Sequence, residues 1–151
     1  MWLIPGAALI AALDLTIKRK VEAAPAAAFP RSFCKGRVQL TRLHNHGMML
    51  GLGRAKKKLP LIISAAATLF VAGALIPSTL RQEYVAPKAG LSLVLGGALG
   101  NLLDRARRGY VVDYITFPRA GRSKNIVYNL SDFCIFGGAL LLALHELLHD
   151  R

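Results

Sequence analysis

An all-α integral membrane protein, four transmembrane helices with a small extramembrane β platform, is the architecture to expect of this chain. Its 151 residues are 54% hydrophobic with a mean hydropathy of +0.41, too apolar for an ordinary soluble domain and too short for more than one compact unit. The apolar residues fall into four separated segments, and two long polar stretches between them carry β-prone patterns. Residues 1–151 are therefore read as a single membrane-embedded domain.

The first apolar segment, 2–13, has the length of a signal-peptide core. No basic residue precedes it and no strong cleavage site comes before the basic run 18–20, so it is expected to be a retained span reaching Ile17. The clearest span is 59–76, eighteen residues without charge, with Pro60 and Pro77 expected at its two ends. A glycine-rich segment at 89–103 and a leucine-rich one at 133–144, extending to Leu148 across His145 and Glu146, complete the set, although both are short for full spans.

These spans leave polar stretches at 18–58, 77–88 and 104–131, and an up-and-down path puts the first and third on one side. Phe29, Phe33, Val38 and Leu40 in the first, and Tyr110, Val112, Tyr114, Ile115 and Phe117 in the third, give partly alternating, β-prone patterns. That is the basis for the platform. The alanine-rich patch 23–28, interrupted by Pro25, reads as a connector.

The formal net charge is +12, and 11 of the 20 Lys and Arg residues fall in 18–58 and 6 in 104–131. No nucleic-acid motif with interleaved base-stacking aromatics accompanies them, so anionic membrane lipids are the expected counter-ions and nucleic acid is not an expected partner. Cys34 and Cys134 have neither CxxC spacing nor a histidine at ligand spacing, and read as small apolar fillers.

Two acids stand out. Asp113 ends GYVVD and Asp132 ends YNLSD, both in or bordering the polar stretch 104–131 between apolar segments. An ionised aspartate at the centre of a membrane helix is penalised by roughly 2.5–3.5 kcal/mol on insertion scales, less near the interface, and so faces a polar cavity or a partner. Taken singly, Asp132 would be a helix N-terminal residue and Asp113 a turn residue.

Taken with the other motifs, they resemble a known family. Asp14 and Lys18 in DLTIK, Asn45 and Gly47 in NHG, Asn101, Asp104 and Arg105 in GGALGNLLDR, then GYVVD and Asn129 to Asp132 in NLSD, follow the order found in signal peptidase II, the lipoprotein signal peptidase. The resemblance covers nearly the whole chain. It implies an aspartic intramembrane peptidase that cuts a diacylglyceryl-modified prolipoprotein before its lipidated cysteine, with Asp113 and Asp132 as the catalytic pair. It also implies a multi-pass protein of the bacterial plasma membrane with its site on the extracytoplasmic side, whereas the positive-inside rule would put both basic stretches in the cytoplasm.

The chemistry of paired carboxylates fits that implication. Two acids held close do not both ionise easily, so one keeps its proton while the other is anionic, and the pair titrates as a unit. The anion can activate water while its partner hydrogen-bonds the developing oxyanion. Such a dyad needs no cofactor and no metal, and the sequence leaves open which aspartate takes which role.

Asn101 and Asp104, like Asn129 and Asp132, are three apart and can share a helix face, so Asn101 and Asn129 are expected to orient the dyad or the substrate backbone. Asp104 and Arg105 read equally as an interfacial cap with a headgroup contact or as site-organising residues, and the resemblance implies the site-organising role. Asn45 and Gly47 are candidates for substrate binding. Asp14 and Lys18 are spaced i, i+4, worth only about 0.2–0.5 kcal/mol in an isolated helix, and are expected to anchor the platform. Gly96 and Gly100, four apart, are expected at a tight helix contact.

Two departures from the family pattern are visible: Met48, Met49 and Leu50 follow Gly47 where small residues and a phenylalanine are common, and Ser131 stands where alanine is usual. Two rival readings remain. His145 to His149 spell HELLH, the HExxH pattern of zinc proteases, two residues from the end of the sequence. A noncatalytic membrane protein that binds lipid or lipoprotein would keep the platform and not need the acids. His44 and His46, alternating about Asn45 without an acidic or thiol ligand nearby in sequence, read as plain strand or surface residues.

Overall fold

A computed structural model of the protein describes residues 3–47, 58–80, 84–118 and 126–149. Four helices, α1 (Leu3–Ala23), α2 (Leu59–Leu80), α3 (Val85–Arg108) and α4 (Leu130–His149), accompany four strands, β1 (Arg31–Phe33), β2 (Val38–Asn45), β3 (Val111–Thr116) and β4 (Val127–Tyr128). The result is mostly helical with one small antiparallel sheet.

Each helix outruns the apolar segment that announced it, because backbone hydrogen bonding continues where hydropathy stops. α1 runs past Ile17 through the basic residues to Ala23, just short of Pro25. Pro77 does not end α2 but lies inside its last turn, where the missing N–H removes one bond to the carbonyl four residues back and the chain stays helical to Leu80. Pro87 sits in the first turn of α3, where N–H groups have no intrahelical acceptor. At the other end Gly109 takes a left-handed φ of 77° and donates its N–H to Arg105 O at 3.0 Å, which stops the helix and turns the chain into β3.

The sheet has the order β1-β2-β3-β4, all antiparallel. β2 comes from the first polar stretch and β3 and β4 from the third, so their ladder, Gln39 opposite Thr116 and Asn45 opposite Val111, holds both stretches on one side. A bulge between Leu40 and Leu43 shifts the register within it. Alternation along β3 turns Val112 and Tyr114 toward α1, where they pack with Val21. Asp113 faces the other way. Cys34 is not a core filler: it lies exposed in the β1–β2 turn with φ 51°.

The helices pack through small residues. A Cβ on Gly96 would fall 2.8 Å from Ala7 O in α1, and one on Gly138 would fall 2.6 Å from Gly90 O in α3. Without those glycines α1, α3 and α4 could not approach so closely. A second cluster, Leu3, Ala7, Leu75 and Leu95, joins α1, α2 and α3 away from the sheet.

The surface is inverted relative to a soluble protein. Leu69 and Phe70 are 72% and 79% exposed, while Asp14 and Lys18 are at 0%. α4 is long and apolar enough to cross a bilayer, and α2 contains a shorter apolar run, Leu59–Leu75. α1 and α3 carry their polar and charged groups inward, at Asp14, Lys18, Asn101 and Asp104.

Candidate active site

The site assembles where β3, the start of α4 and the last turns of α3 meet. Asp113 comes from the middle of β3 and Asp132 from the first turn of α4, nineteen residues on in the sequence. Asn129 joins them. It is fully buried, and its amide donates to Asp113 Oδ1 at 2.7 Å. Its Oδ1 accepts the Asp132 N–H at 2.9 Å, while Asp132 Oδ2 accepts the Asn129 N–H at 3.1 Å. That reciprocal pair is a capping box: the three-residue spacing closes the helix end and aims Asp132 at the same time.

Two more amides complete the cradle. Asn45, at the end of β2 and diagonal to Asp113 across the ladder, donates to Asp113 Oδ2 at 3.0 Å. Asn101 donates to Asp132 Oδ1 at 3.0 Å and accepts from both Asn129 Nδ2 at 3.2 Å and Lys18 Nζ at 2.9 Å. Burial pushes the Asp113 carboxyl up to about 6, the neighbouring Asp132 charge adds to the rise, and the bonds from Asn45 and Asn129 oppose it.

Behind the cradle lies a buried charge cluster. Lys18 Nζ is 2.6 Å from Asp14 Oδ2 and 3.2 Å from Asp104 Oδ2. Asp104 Oδ2 also accepts the Val112 N–H at 3.2 Å. Asp14 accepts from Ser131 Oγ at 2.6 Å and from Tyr114 OH at 3.1 Å. The Asp14–Lys18 pair, worth little in an isolated helix, is fully buried here, and it ties α1 to β3, α3 and α4. Asp104 is an internal tie, not an interfacial cap.

In front of the cradle is a cleft of about 340 Å³ between α2, α3, α4 and the sheet. Ile63, Ala67, Ala98, Ile135 and Phe136 give it apolar walls, and Asn45, Asn101, Arg105, Asp113 and Asp132 its polar end. Arg105 Nη2 donates to Gly47 O at 3.0 Å, and its Nε has no hydrogen-bond partner among the described residues. Gly47 N donates in turn to Asn45 Oδ1 at 3.1 Å. The departure at Met48, Met49 and Leu50 lies outside the described residues.

Residues 6–148 match the family model described as signal peptidase II. The chain belongs to the signal peptidase II family. It is 37% identical over 113 residues to the lipoprotein signal peptidase of Caldicellulosiruptor bescii, covering 75% of this chain and 69% of that one. To the lipoprotein signal peptidase of Lactiplantibacillus plantarum it is 33% identical over 143 residues, covering 91% and 89%. A bacterial membrane enzyme solved in meso at 2.3 Å shares the fold with a TM-score of 0.82 at 20% identity, over 99% of this chain and 89% of that one. The chain is accordingly a peptidase and a bacterial membrane protein.

As a signal peptidase II it brings together Asp113, Asp132, Asn45, Gly47, Asn101, Arg105 and Asn129, all expected from the sequence, with Asp14, Lys18 and Asp104 behind them. It keeps HELLH apart, at the other end of α4, about 20 Å from Asp132 at 1.5 Å per residue. There His145 and His149 stack at 4.2 Å, with Tyr84 against both. His44 Nε2 lies 2.8 Å from Glu22 Oε1, and both His44 and His46 pack on Tyr110. No group of three or more His, Cys, Asp or Glu among the described residues is arranged to hold a metal ion. The sequence reading missed Tyr114 and Ser131 as donors to Asp14, and nothing in either residue type would have flagged them. Their hydroxyls matter only because α1 packs between β3 and α4.

Proposed function

We propose that this chain is an intramembrane aspartic endopeptidase that removes signal peptides from diacylglyceryl-modified prolipoproteins, cutting before the lipidated cysteine, with Asp113 and Asp132 as its catalytic pair. One observation carries the reading. Carboxylates from two different elements converge on a shared asparagine at the polar end of an apolar cleft. Family membership supports the substrate class, and the apolar walls suit a signal peptide and acyl chains arriving from lipid.

The surroundings of the two acids support different roles. Asp132 accepts a backbone N–H and lies in the first turn of α4, where the helix dipole favours an anion. Asp113 is raised to about 6, chiefly by burial, and so is the member assigned the shared proton. Asp132 is then the base that takes a proton from water as the oxygen attacks the scissile carbonyl, and Asp113 donates a hydrogen bond to the oxyanion. Arg105 Nε, Asn45 and the Gly47 backbone line the substrate path.

The exposed apolar residues on the outer helix faces support four transmembrane helices in one domain, a multi-pass arrangement in the plasma membrane. On this reading the sheet faces the extracytoplasmic side, where lipoprotein precursors emerge. Cys34 tests that directly, because it is exposed on the sheet. In a Cys134→Ser background, an impermeant maleimide added to intact cells should label it, and labelling only after lysis would reverse the orientation.

The activity test is cleavage of a diacylglyceryl-modified prolipoprotein by purified wild type, Asp113→Asn and Asp132→Asn, with and without a chelator. Cleavage by wild type alone, unaffected by the chelator, is the expected result. Cleavage that survives both substitutions overturns the dyad, and loss on chelation revives the zinc reading of HELLH. A wild type that binds the substrate and never cuts it would instead make the protein a binding one.

A further inference from the structure

Tyr114 follows Asp113 directly, yet its side chain leaves the opposite face of β3, away from the cleft and toward α1. It is 3% exposed. Its hydroxyl accepts the Leu130 N–H at 3.0 Å and donates to Asp14 Oδ1 at 3.1 Å. Leu130 opens α4, and its N–H is one of the helix-end donors without an intrahelical acceptor. Asn129 does not serve it, because that side-chain oxygen is taken by Asp132 N. One phenol therefore links the residue after Asp113 to the residue two before Asp132.

We propose that Tyr114 is a positioning residue for the dyad, its hydroxyl fixing how far the strand carrying Asp113 stands from the helix start carrying Asp132. The proposal rests on the aspartic reading above. The same hydroxyl is also the first link of a path to Asp132: Tyr114 to Asp14, Asp14 to Lys18, Lys18 to Asn101, and Asn101 to Asp132 Oδ1. Burial, and after it the Asp14 charge, holds the phenol well above its ordinary value, so it stays a donor at every working pH. Ser131 donates to the other oxygen of Asp14 and makes no tie to β3, which separates support of Asp14 from the strut itself.

The experiment measures kcat, KM and the pH profile for cleavage of a diacylglyceryl-modified prolipoprotein by the full chain as wild type, Tyr114→Phe, Ser131→Ala and Asp113→Asn. Tyr114→Phe leaves a buried N–H without its acceptor and should lower kcat about tenfold or more, with KM within about twofold. Its pH profile should shift, because the two carboxyls no longer stand at one separation. Ser131→Ala should lose about threefold, with the wild-type profile. A Tyr114→Phe enzyme with wild-type kcat and profile overturns the proposal, as does an equal loss in Ser131→Ala. Full activity in Asp113→Asn would instead sink the aspartic reading underneath it. Should Tyr114→Phe not fold, 4-aminophenylalanine at 114 keeps the ring and a donor to Asp14 while accepting the Leu130 N–H poorly. Its kcat should fall in the same sense as that of Tyr114→Phe, and a wild-type kcat overturns the proposal.

Discussion

Replacing Asn129 by serine separates its helix cap from the bonds that its amide donates to Asp113 and Asn101. Serine caps helices about as well as asparagine, so α4 should keep its N-terminus through the Asp132 N–H. Serine has no amide to give Asp113, and the 2.7 Å bond to Oδ1 is lost. That bond stabilises the ionised form and opposes the rise of Asp113 to about 6. A hydrogen bond to a charged group contributes about 1.5–3 kcal/mol, and one pKa unit corresponds to about 1.4 kcal/mol, so its loss should raise Asp113 by roughly one to two units. If Asp113 holds the dyad's proton, the alkaline limb of kcat/KM for prolipoprotein cleavage reports that group in the free enzyme. The limb should therefore move to higher pH in Asn129→Ser by about one to two units, while the plateau falls because Asp113 has lost an orienting donor. An unmoved limb, or one displaced to lower pH, would refute the assignment of the proton to Asp113.

Three further outcomes follow from the same contacts. Folded Asp113 holds its proton up to about 6, against 3.8 for the unperturbed group, so between those values the folded state binds more protons and stability falls as pH rises. Asp113→Asn should then melt above wild type at pH 7, by up to about 3 kcal/mol less the mismatch of its amide with the two asparagine donors, and the advantage should vanish below about pH 4. Lys18→Met leaves Asp14 buried without its cation and Asp104 with Arg108 alone, and should cost about 3–5 kcal/mol, read as a large fall in Tm in detergent. Gly138→Ala places a methyl 2.6 Å from Gly90 O and should cost about 1–3 kcal/mol, whereas Gly73→Ala, whose Cβ meets nothing within 4 Å, should raise Tm slightly through helix propensity.

What the sequence made legible is what a one-dimensional pattern can encode. Hydropathy located all four helices, and alternation around Val112 and Tyr114 located the sheet. Helix ends were misjudged wherever polarity changed inside a continuous helix, as at Lys18 in α1 and at Pro77 in α2. The site residues were legible because each sits in a short motif with fixed spacing, Asn129 with Asp132 above all. The depth of Asp14 and Lys18 was not. An i, i+4 pair looks the same in sequence whether it lies on a surface or, as here, at 0% exposure among α3, α4 and β3. Tyr114 and Ser131 were invisible for the same reason, since their partner on α1 is about a hundred residues away.

The buried cluster also bears on why the site can form in an apolar molecule at all. Lys18 is the only cation within salt-bridge reach of Asp14 among the described residues, and it serves Asp104 as well. One ammonium between two carboxylates is an incomplete neutralisation; Arg108 Nη1, 3.6 Å from Asp104 Oδ1, adds a second cation, and dipoles supply the rest: Ser131 and Tyr114 hydroxyls on Asp14, the Val112 N–H on Asp104. Lys18 has one further contact, to Asn101 Oδ1, which leaves the Asn101 amide free to donate forward to Asp132. Polarity thus passes from a fixed charge at the back, through an amide whose orientation that charge dictates, to the carboxylate lining the cleft. An asparagine oriented only by Asp132 could turn over with it as the dyad changed protonation. Held from behind by Lys18 and Asn129, Asn101 keeps its donor facing Asp132 in either protonation state, which on the proposed mechanism leaves the site preorganised for turnover.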